Sequence, residues 1–416
     1  MIAPLPAEDR ATIKVLSCIA APFWGGLHVV VERTTPHYIE FGVTRWLALP
    51  IADDRMRNRL TAAGANLLEW RPGRPRKTLN PLINLRYLMR FRADVVALRH
   101  HIRDHEIDII EVAGLLNFQP VLAAWCEGKP IVWQLHSTLA PTPLRIVIGN
   151  LVKRLAAVVM TSGEGMITRH GGLSGCKVPM VPFAAPIDLA RFRADPALRS
   201  RARAAMGFAD DDFVVGTLGN RGWQKRHEYI VTVADMLRAR PIKFAITGSK
   251  VETNNAYYTK RVLNEITRLK LDKTVSIIDQ SDEAQVIMNA FDVFILPSIS
   301  EGVSLVTAEA LACSIPVVAS NVGSIPDLVD DSVGALCDVN DAAAFARGIE
   351  RMWSDPNIMR RGALCRARAE ERAGDLRCAE DHIRAYHLAL GVRSKMTKQV
   401  PMSHPHDRDR WSRESE

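Results

Sequence analysis

The chain has 416 residues, 47% hydrophobic and 24% charged, with a formal net charge of +8. At roughly 150 residues per domain this predicts two or three domains with ample core; it excludes a disordered chain and a small disulfide scaffold, and with no repeat of about 20–50 residues also a solenoid. Residues 1–200 hold 25 Lys+Arg against 16 Asp+Glu, and residues 201–416 hold 29 against 30, so the first half alone calls for an anionic partner: nucleic acid, a membrane surface or a phosphate-rich ligand.

Thr12 to Ala20 reads as a buried strand, Pro22-Phe-Trp-Gly-Gly26 as a turn, and Leu27 to Ile39 as a helix. A strand, a glycine turn and a helix open an α/β unit. Leu47–Pro50 and Asn66–Trp70 are short strands flanking a helix, Asp54 to Gly64, that ends at its glycine. Arg71 to Lys77 is a basic, proline-rich loop, and Leu82 to His105 a long basic helix. Ile107–Val112, Ile131–Leu135 and Ala156–Thr161 are further strands, with Gln119–Glu127 a helix between the first two. This alternation predicts a parallel sheet with crossover helices.

Leu189 to Phe208 is arginine-rich and polar and reads as a linker. A second α/β series follows, with strands at Phe213–Leu218, Lys243–Thr247, Val275–Ile278, Val293–Leu296 and Val317–Ala319. Helices are expected at His227–Leu237, Tyr257–Leu269, Asp282–Ala290 and Ser304–Cys313. After Asp338 helices dominate, at Ala342–Trp353, Asn357–Glu371 and Asp375–Leu390, and Ser394–Glu416 is a polar tail expected to be disordered.

Cys18, Cys126, Cys176, Cys313, Cys337, Cys365 and Cys378 form no Cys-x-x-Cys pair. They read as free thiols of a reducing cytosol. No apolar run approaches about 18 residues, and Glu8 and Asp9 precede the first apolar segment where a signal peptide would be basic. A cytoplasmic protein is expected.

The most informative stretch runs from Leu296 to Ala319. A strand enters the turn Ser300-Glu301-Gly302, and a helix starts near Ser304. The amides of Gly302, Val303, Ser304 and Leu305 are expected to stand free there for phosphate or sugar oxygens. Glu309, inside that helix, can accept two hydrogen bonds from a vicinal diol such as a ribose. On spacing alone, Glu301 reads equally as a carboxylate favouring the helix dipole, and Glu309 as a structural residue.

Glu301-Gly and, seven residues on, Glu309-Ala, followed by Pro316-Val-Val-Ala, Val322-Gly and Gly334, resemble the retaining glycosyltransferases of family GT4 over about forty residues. The resemblance implies the α/β GT-B fold, two Rossmann-like doubly wound domains facing a central cleft. Their expected extents are 1–195 for an acceptor domain and 196–374 for a nucleotide-sugar domain. A helix at 375–393 crosses back to the first domain, and 394–416 is the tail. The resemblance further implies that Glu301 contacts the transferred sugar, that Glu309 contacts the ribose, and that the amides of residues 302–305 face sugar and phosphate.

Gly219-Asn-Arg-Gly-Trp-Gln-Lys225 matches the family's phosphate-neutralising segment at Lys225. Asn220 stands where the family has Arg, and Arg221 either replaces that arginine or is a solvated surface charge. A departing nucleoside diphosphate gains charge, and the resemblance implies that Lys and Arg neutralise it without a bound metal or other cofactor. Gly25-Gly26 occupies the place of the glycine-rich turn that approaches the diphosphate or acceptor. His136 matches the strand-end histidine that faces donor sugar or acceptor hydroxyl, against the bland alternative of a structural histidine. Val181 to Phe192 resembles the interdomain segment, retaining Asp188 and Phe192 but carrying Ala184-Ala185 for Asn-Gly.

The basic stretch Arg71–His105 reads either as a helix packed on the sheet with a solvated basic face or as a contact for anionic lipid or a pyrophosphate-linked acceptor. It carries no aromatic stacking run, which disfavours nucleic acid. The expected activity is transfer of a sugar from a nucleotide-diphosphate sugar to a glycan or lipid-linked hydroxyl with retention, in surface polysaccharide or glycolipid synthesis, at the inner membrane face. The alternatives are a silent nucleotide-sugar-binding scaffold and a GT-B-fold nucleotide-sugar epimerase.

Overall fold

A computed structural model describes residues 12–73, 81–173, 175–248, 255–279 and 283–391. The expected tail, residues 74–77 of the basic loop and the first residue of the helix expected from Asp282 lie outside them.

The first sheet is built from β1 (Ile13–Cys18), β2 (Val43–Leu49), β3 (Asn66–Glu69), β4 (Ile109–Ala113), β5 (Ile131–Leu135), β6 (Val158–Thr161) and β7 (Met180–Pro182). All neighbours are parallel, in the order β3-β2-β1-β4-β5-β6-β7. Its connections are α1 (Gly26–Tyr38), α2 (Asp54–Ala62), α3 (Pro81–Asp104), α4 (Phe118–Cys126), α5 (Thr142–Leu155) and α6 (Gly165–Arg169). Every residue of β4, β5 and β6 is buried, because crossover helices cover both faces of a parallel sheet.

The second domain opens with α7 (Pro196–Met206) and then β8 (Phe213–Leu218), α8 (His227–Met236), β9 (Ile242–Gly248) and α9 (Asn255–Tyr258). A π-turn at Thr259–Leu263 leads into α10 (Asn264–Arg268). β10 (Val275–Asp279), α11 (Ala284–Asn289), β11 (Val293–Leu296), α12 (Leu305–Ala312), β12 (Val317–Ser320), α13 (Ile325–Leu328) and β13 (Gly334–Cys337) follow. This sheet is also parallel, in the order β10-β9-β8-β11-β12-β13. The chain closes with α14 (Ala342–Trp353), α15 (Ile358–Arg372) and α16 (Asp375–Ala389). α16 packs on α1, β5, β6 and β7, which returns this helix to the first domain.

Three sequence expectations need correction. The segment read as a linker, Leu189–Phe208, carries α7, which packs on α11. Its Arg203 is fully buried, donating to the carbonyls of Ala290, Ala209, Asp210 and Asp212 and to Asp292 at 2.6 Å. Five acceptors satisfy a guanidinium that composition alone marks as surface. β2 begins at Val43, four residues before the expected strand, because Arg45 interrupts the apolar pattern yet is buried against Glu111 at 3.3 Å. α5, α6, β7 and β13 did not stand out from the sequence; the last two are only three and four residues long.

Both strand orders reverse direction, next to β1 and β4 and next to β8 and β11. Doubly wound sheets bind ligands beyond the carboxyl ends of strands at such points. Here those ends meet across the seam. A Cβ at Gly302, after β11, would stand 2.4 Å from the His136 carbonyl oxygen, after β5. Asp327 accepts from the Gly165 amide at 3.1 Å, and Arg169 donates to both Asn321 oxygens.

Three seam carboxyls carry raised pKa values caused chiefly by burial: Asp327 and Asp381 to about 6, Asp375 to about 7. Each folded value exceeds the unfolded one, near 4, so the folded state holds more protons in that window. Their contribution therefore weakens stability as pH rises from about 4 to 6–7. Buried His136 and His382, lowered to about 4 by burial, act with the opposite sign. The Tm gain of Asp327→Asn over the parent is expected to grow between pH 4 and 6.5; a pH-independent difference, read by scanning fluorimetry, contradicts it.

Candidate functional site

The loop from Gly219 to Lys225 leaves β8, and the loop from Pro297 to Ser304 leaves β11, the strand beside it. The Ile299 amide donates to the Gln224 carbonyl at 3.0 Å, which ties the two loops together. Lys225 Nζ then donates to Glu301 Oε1 at 2.7 Å, with the lysine half-buried and Glu301 buried.

Glu309 lies in α12 and is buried. Its partner comes from the other domain: Arg33 of α1 donates to Glu309 Oε1 at 3.1 Å and to the Pro186 carbonyl at 2.9 Å. Burial raises the Glu309 pKa, and Arg33 opposes that shift. Nothing in the sequence marked Arg33, one of several cations in the first half.

The expectation of four free amides is corrected. Ser304 donates to Ser324 Oγ at 3.3 Å and Leu305 to the Val303 carbonyl at 2.9 Å. Gly302 and Val303 keep amides without an acceptor among the described residues. Ser324 also donates to the Gly302 carbonyl at 2.6 Å. Gly323, at φ +56, holds a left-handed turn whose Cβ would stand 1.9 Å from the Glu301 carbonyl oxygen; only glycine fits. The Val322-Gly pair quoted above was the sequence signal for this brace.

Arg221 is neither a solvated charge nor part of the Lys225–Glu301 cluster. It is buried, donates to Asp279 Oδ1 at 2.5 Å at the end of β10, and sits 5.4 Å from the Tyr258 ring centroid. Asn220 closes a local turn, its Oδ1 accepting from the Gly222 amide at 3.2 Å. Gly25 caps α1, and both Gly25 and Gly26 are exposed, with no atom closer than 3.9 Å to a Cβ built at either. No contact within the protein forces glycine there, which leaves room for a ligand.

His136 is half-buried after β5, its Nε2 3.0 Å from Gln134 Oε1 and its main chain against Gly302. Burial lowers its pKa to about 4, which keeps the ring neutral. A cavity of about 590 Å³ opens between Gly163, Phe183, Val303, Ser324 and Arg372. The structure thus sets the Lys225–Glu301 pair next to Gly302, which meets the His136 main chain of the first domain, and places Glu309 on a second cross-domain pair.

Residues 199–370 match the family model described as Glycosyl transferases group 1. D-inositol 3-phosphate glycosyltransferase of Pseudarthrobacter chlorophenolicus is 28% identical over 288 residues, covering 63% of this chain and 66% of that protein. Putative glycosyltransferase EpsF of Bacillus subtilis is 24% identical over 263 residues, covering 62% and 66%. The chain spans between about a third and two thirds of the length of the curated relatives it matches. Among solved structures, Anabaena HepE in complex with UDP and glucose superposes with TM-score 0.73 at 19% identity, covering 90% of this chain and 99% of that one. A glycosyltransferase from Rickettsia africae gives TM-score 0.75 at 14% identity, covering 91% and 99%. At these identities the structures establish a shared fold.

Proposed function

We propose that the chain, whose residues 199–370 match the glycosyl transferases group 1 model and which has the two-domain GT-B fold, moves a sugar from a nucleotide-diphosphate sugar to a hydroxyl of a glycan or lipid-linked acceptor. The observation that carries this reading is the Lys225–Glu301 pair in the second domain, next to Gly302, where the His136 main chain of the first domain closes on the turn. Lys225 neutralises the diphosphate as it leaves, so no metal is required. Glu301 contacts the transferred sugar, and the Gly302 and Val303 amides face its oxygens. Glu309 accepts from the ribose hydroxyls once Arg33 yields, and the Gly25-Gly26 turn admits the diphosphate or acceptor. His136 faces the reacting hydroxyl. The contacting domains exclude water, which limits donor hydrolysis. Family likeness supports retention, with the departing phosphate oxygen taking the acceptor proton.

The donor test is thermal stabilisation by a panel of nucleotides and nucleotide sugars, with and without EDTA. A ligand that binds only the folded state adds about 2.7 kcal/mol at a hundred times its Kd. One nucleoside diphosphate and its sugar conjugates are expected to raise Tm in EDTA, and Glu309→Ala to remove most of that shift. A shift seen only with polyanions, and only at low salt, sinks the reading.

The acceptor side is the first domain. There α3 exposes Leu85, Leu88, Met89 and Val96 together with Arg90 and Arg92, beside exposed Trp125 of α4. No helix among the described residues is long and apolar enough to cross a membrane. An apolar stripe flanked by arginines suits the interface of an anionic bilayer, which supports a lipid-linked acceptor used at the inner membrane face, in surface polysaccharide or glycolipid synthesis. The protein is expected to co-sediment with phosphatidylglycerol vesicles but not phosphatidylcholine vesicles, and Leu88→Glu with Met89→Glu to release it. Equal recovery with both lipids contradicts the membrane role.

A further inference from the structure

His136 ends a chain of buried polar groups that reaches back through the first domain to the returning helix α16. Glu111 of β4 is buried, and its two oxygens accept from Gln134 Nε2 at 2.5 Å, Tyr386 Oη at 2.8 Å, Arg45 Nη2 at 3.3 Å and Ser17 Oγ. Burial works against its charge, but Arg45 and these donors hold the Glu111 pKa below its usual value. It is therefore an ionised acceptor with its hydrogen-bonding capacity filled.

The hydrogen positions in this chain follow from the partners. His382 of α16 has Nδ1 2.7 Å from the Cys378 carbonyl. A carbonyl only accepts, so Nδ1 carries the hydrogen. His382 is buried and neutral, so its Nε2 is a bare acceptor. Gln134 Nε2 lies 3.1 Å from that nitrogen and 2.5 Å from Glu111 Oε1. Both hydrogens of the amide are thereby used, and the Gln134 oxygen is left to face His136 Nε2 at 3.0 Å. That oxygen can only accept, so His136 carries its hydrogen on Nε2. Its Nδ1 is then a lone-pair acceptor, buried and without a hydrogen-bond partner among the described residues, on a residue whose main chain touches Gly302 at the domain contact.

We propose that Gln134, oriented jointly by Glu111 and by His382 of the C-terminal helix, is a positioning residue that locks His136 as the Nε2–H tautomer and so presents Nδ1 as the acceptor for a substrate hydroxyl. This rests on the transferase reading for its catalytic consequence, but the tautomer itself does not. A buried nitrogen acceptor left unpaired costs stability, and a hydroxyl donor arriving between the domains supplies the missing bond. The arrangement also gives α16 a chemical role. It carries His382 and Tyr386, both of which touch the Gln134–Glu111 pair, so this helix helps fix the hydrogen on His136.

The test is nitrogen NMR of the full chain labelled with ¹⁵N-histidine, the His136 signal being the one lost in His136→Gln. Without donor, His136 is expected to show a protonated Nε2 and an unprotonated Nδ1 at neutral pH. Gln134→Met, which keeps the volume and removes the acceptor, is expected to mix the two tautomers. It should also lower kcat on the order of ten- to a hundredfold with the donor KM little changed. A protonated Nδ1 in the parent protein overturns the inference without recourse to any variant, as does a folded Gln134→Met with parental kcat. If the parent turns over no nucleotide sugar, the transferase reading fails together with the catalytic half of the inference, while the tautomer is still read directly.

Discussion

Lys225→Ala is expected to lower kcat/KM for sugar transfer on the order of a hundred- to a thousandfold, the loss typical when one preorganised group facing developing charge is removed. The nucleoside diphosphate gains negative charge as the glycosidic bond breaks, so the lysine does more for the transition state than for the bound donor. Most of the loss should fall on kcat. The substitution also strips buried Glu301 of the cation 2.7 Å away, which adds to the effect. Lys225→Arg keeps the charge but changes its geometry, and should recover part of the rate. The check is steady-state kinetics with the donor identified by thermal shift. A variant within threefold of the parent would show that diphosphate charge is neutralised elsewhere.

The second large effect is on stability. Arg45→Met is expected to destabilise the first domain by about 3–5 kcal/mol, because it leaves Glu111 charged and buried without its cation. For a domain of this size that is a fall of about 6–20 °C in Tm. Arg45 donates to Thr34, Thr35, Tyr38 and Tyr386 as well as to Glu111, so the variant also removes a donor from hydroxyls on two helices. Adding Glu111→Leu should restore much of the loss, since a buried ion pair replaced as a unit is often neutral. A single variant as stable as the parent in thermal unfolding followed by circular dichroism, or a double variant worse than the single, contradicts this account.

The two domains and their order were legible because parallel strands buried on both faces appear as short apolar runs. β5, β8 and β11 match the sequence reading residue for residue, and α14 does too. The site was legible where chemistry and local geometry coincide in a few consecutive residues, as in Glu301-Gly302 and Lys225. The reading failed at three arginines buried by distant partners. Arg203 made a structural helix look like a linker, Arg45 shortened β2, and Arg221 left open a solvated surface charge although it is buried against Asp279 and Tyr258.

By itself, then, the sequence determined the α/β class, the two doubly wound halves and the turn that carries Glu301 and Gly302. All of these rest on periodicity or on neighbours close along the chain. Only the tertiary structure decided the partners separated by many residues: Arg33 on Glu309, the His136 carbonyl against Gly302, and His382 on Gln134. The physical reason is that a charge or a lone pair is satisfied by whatever folding brings within about 3 Å, and sequence spacing does not record that distance.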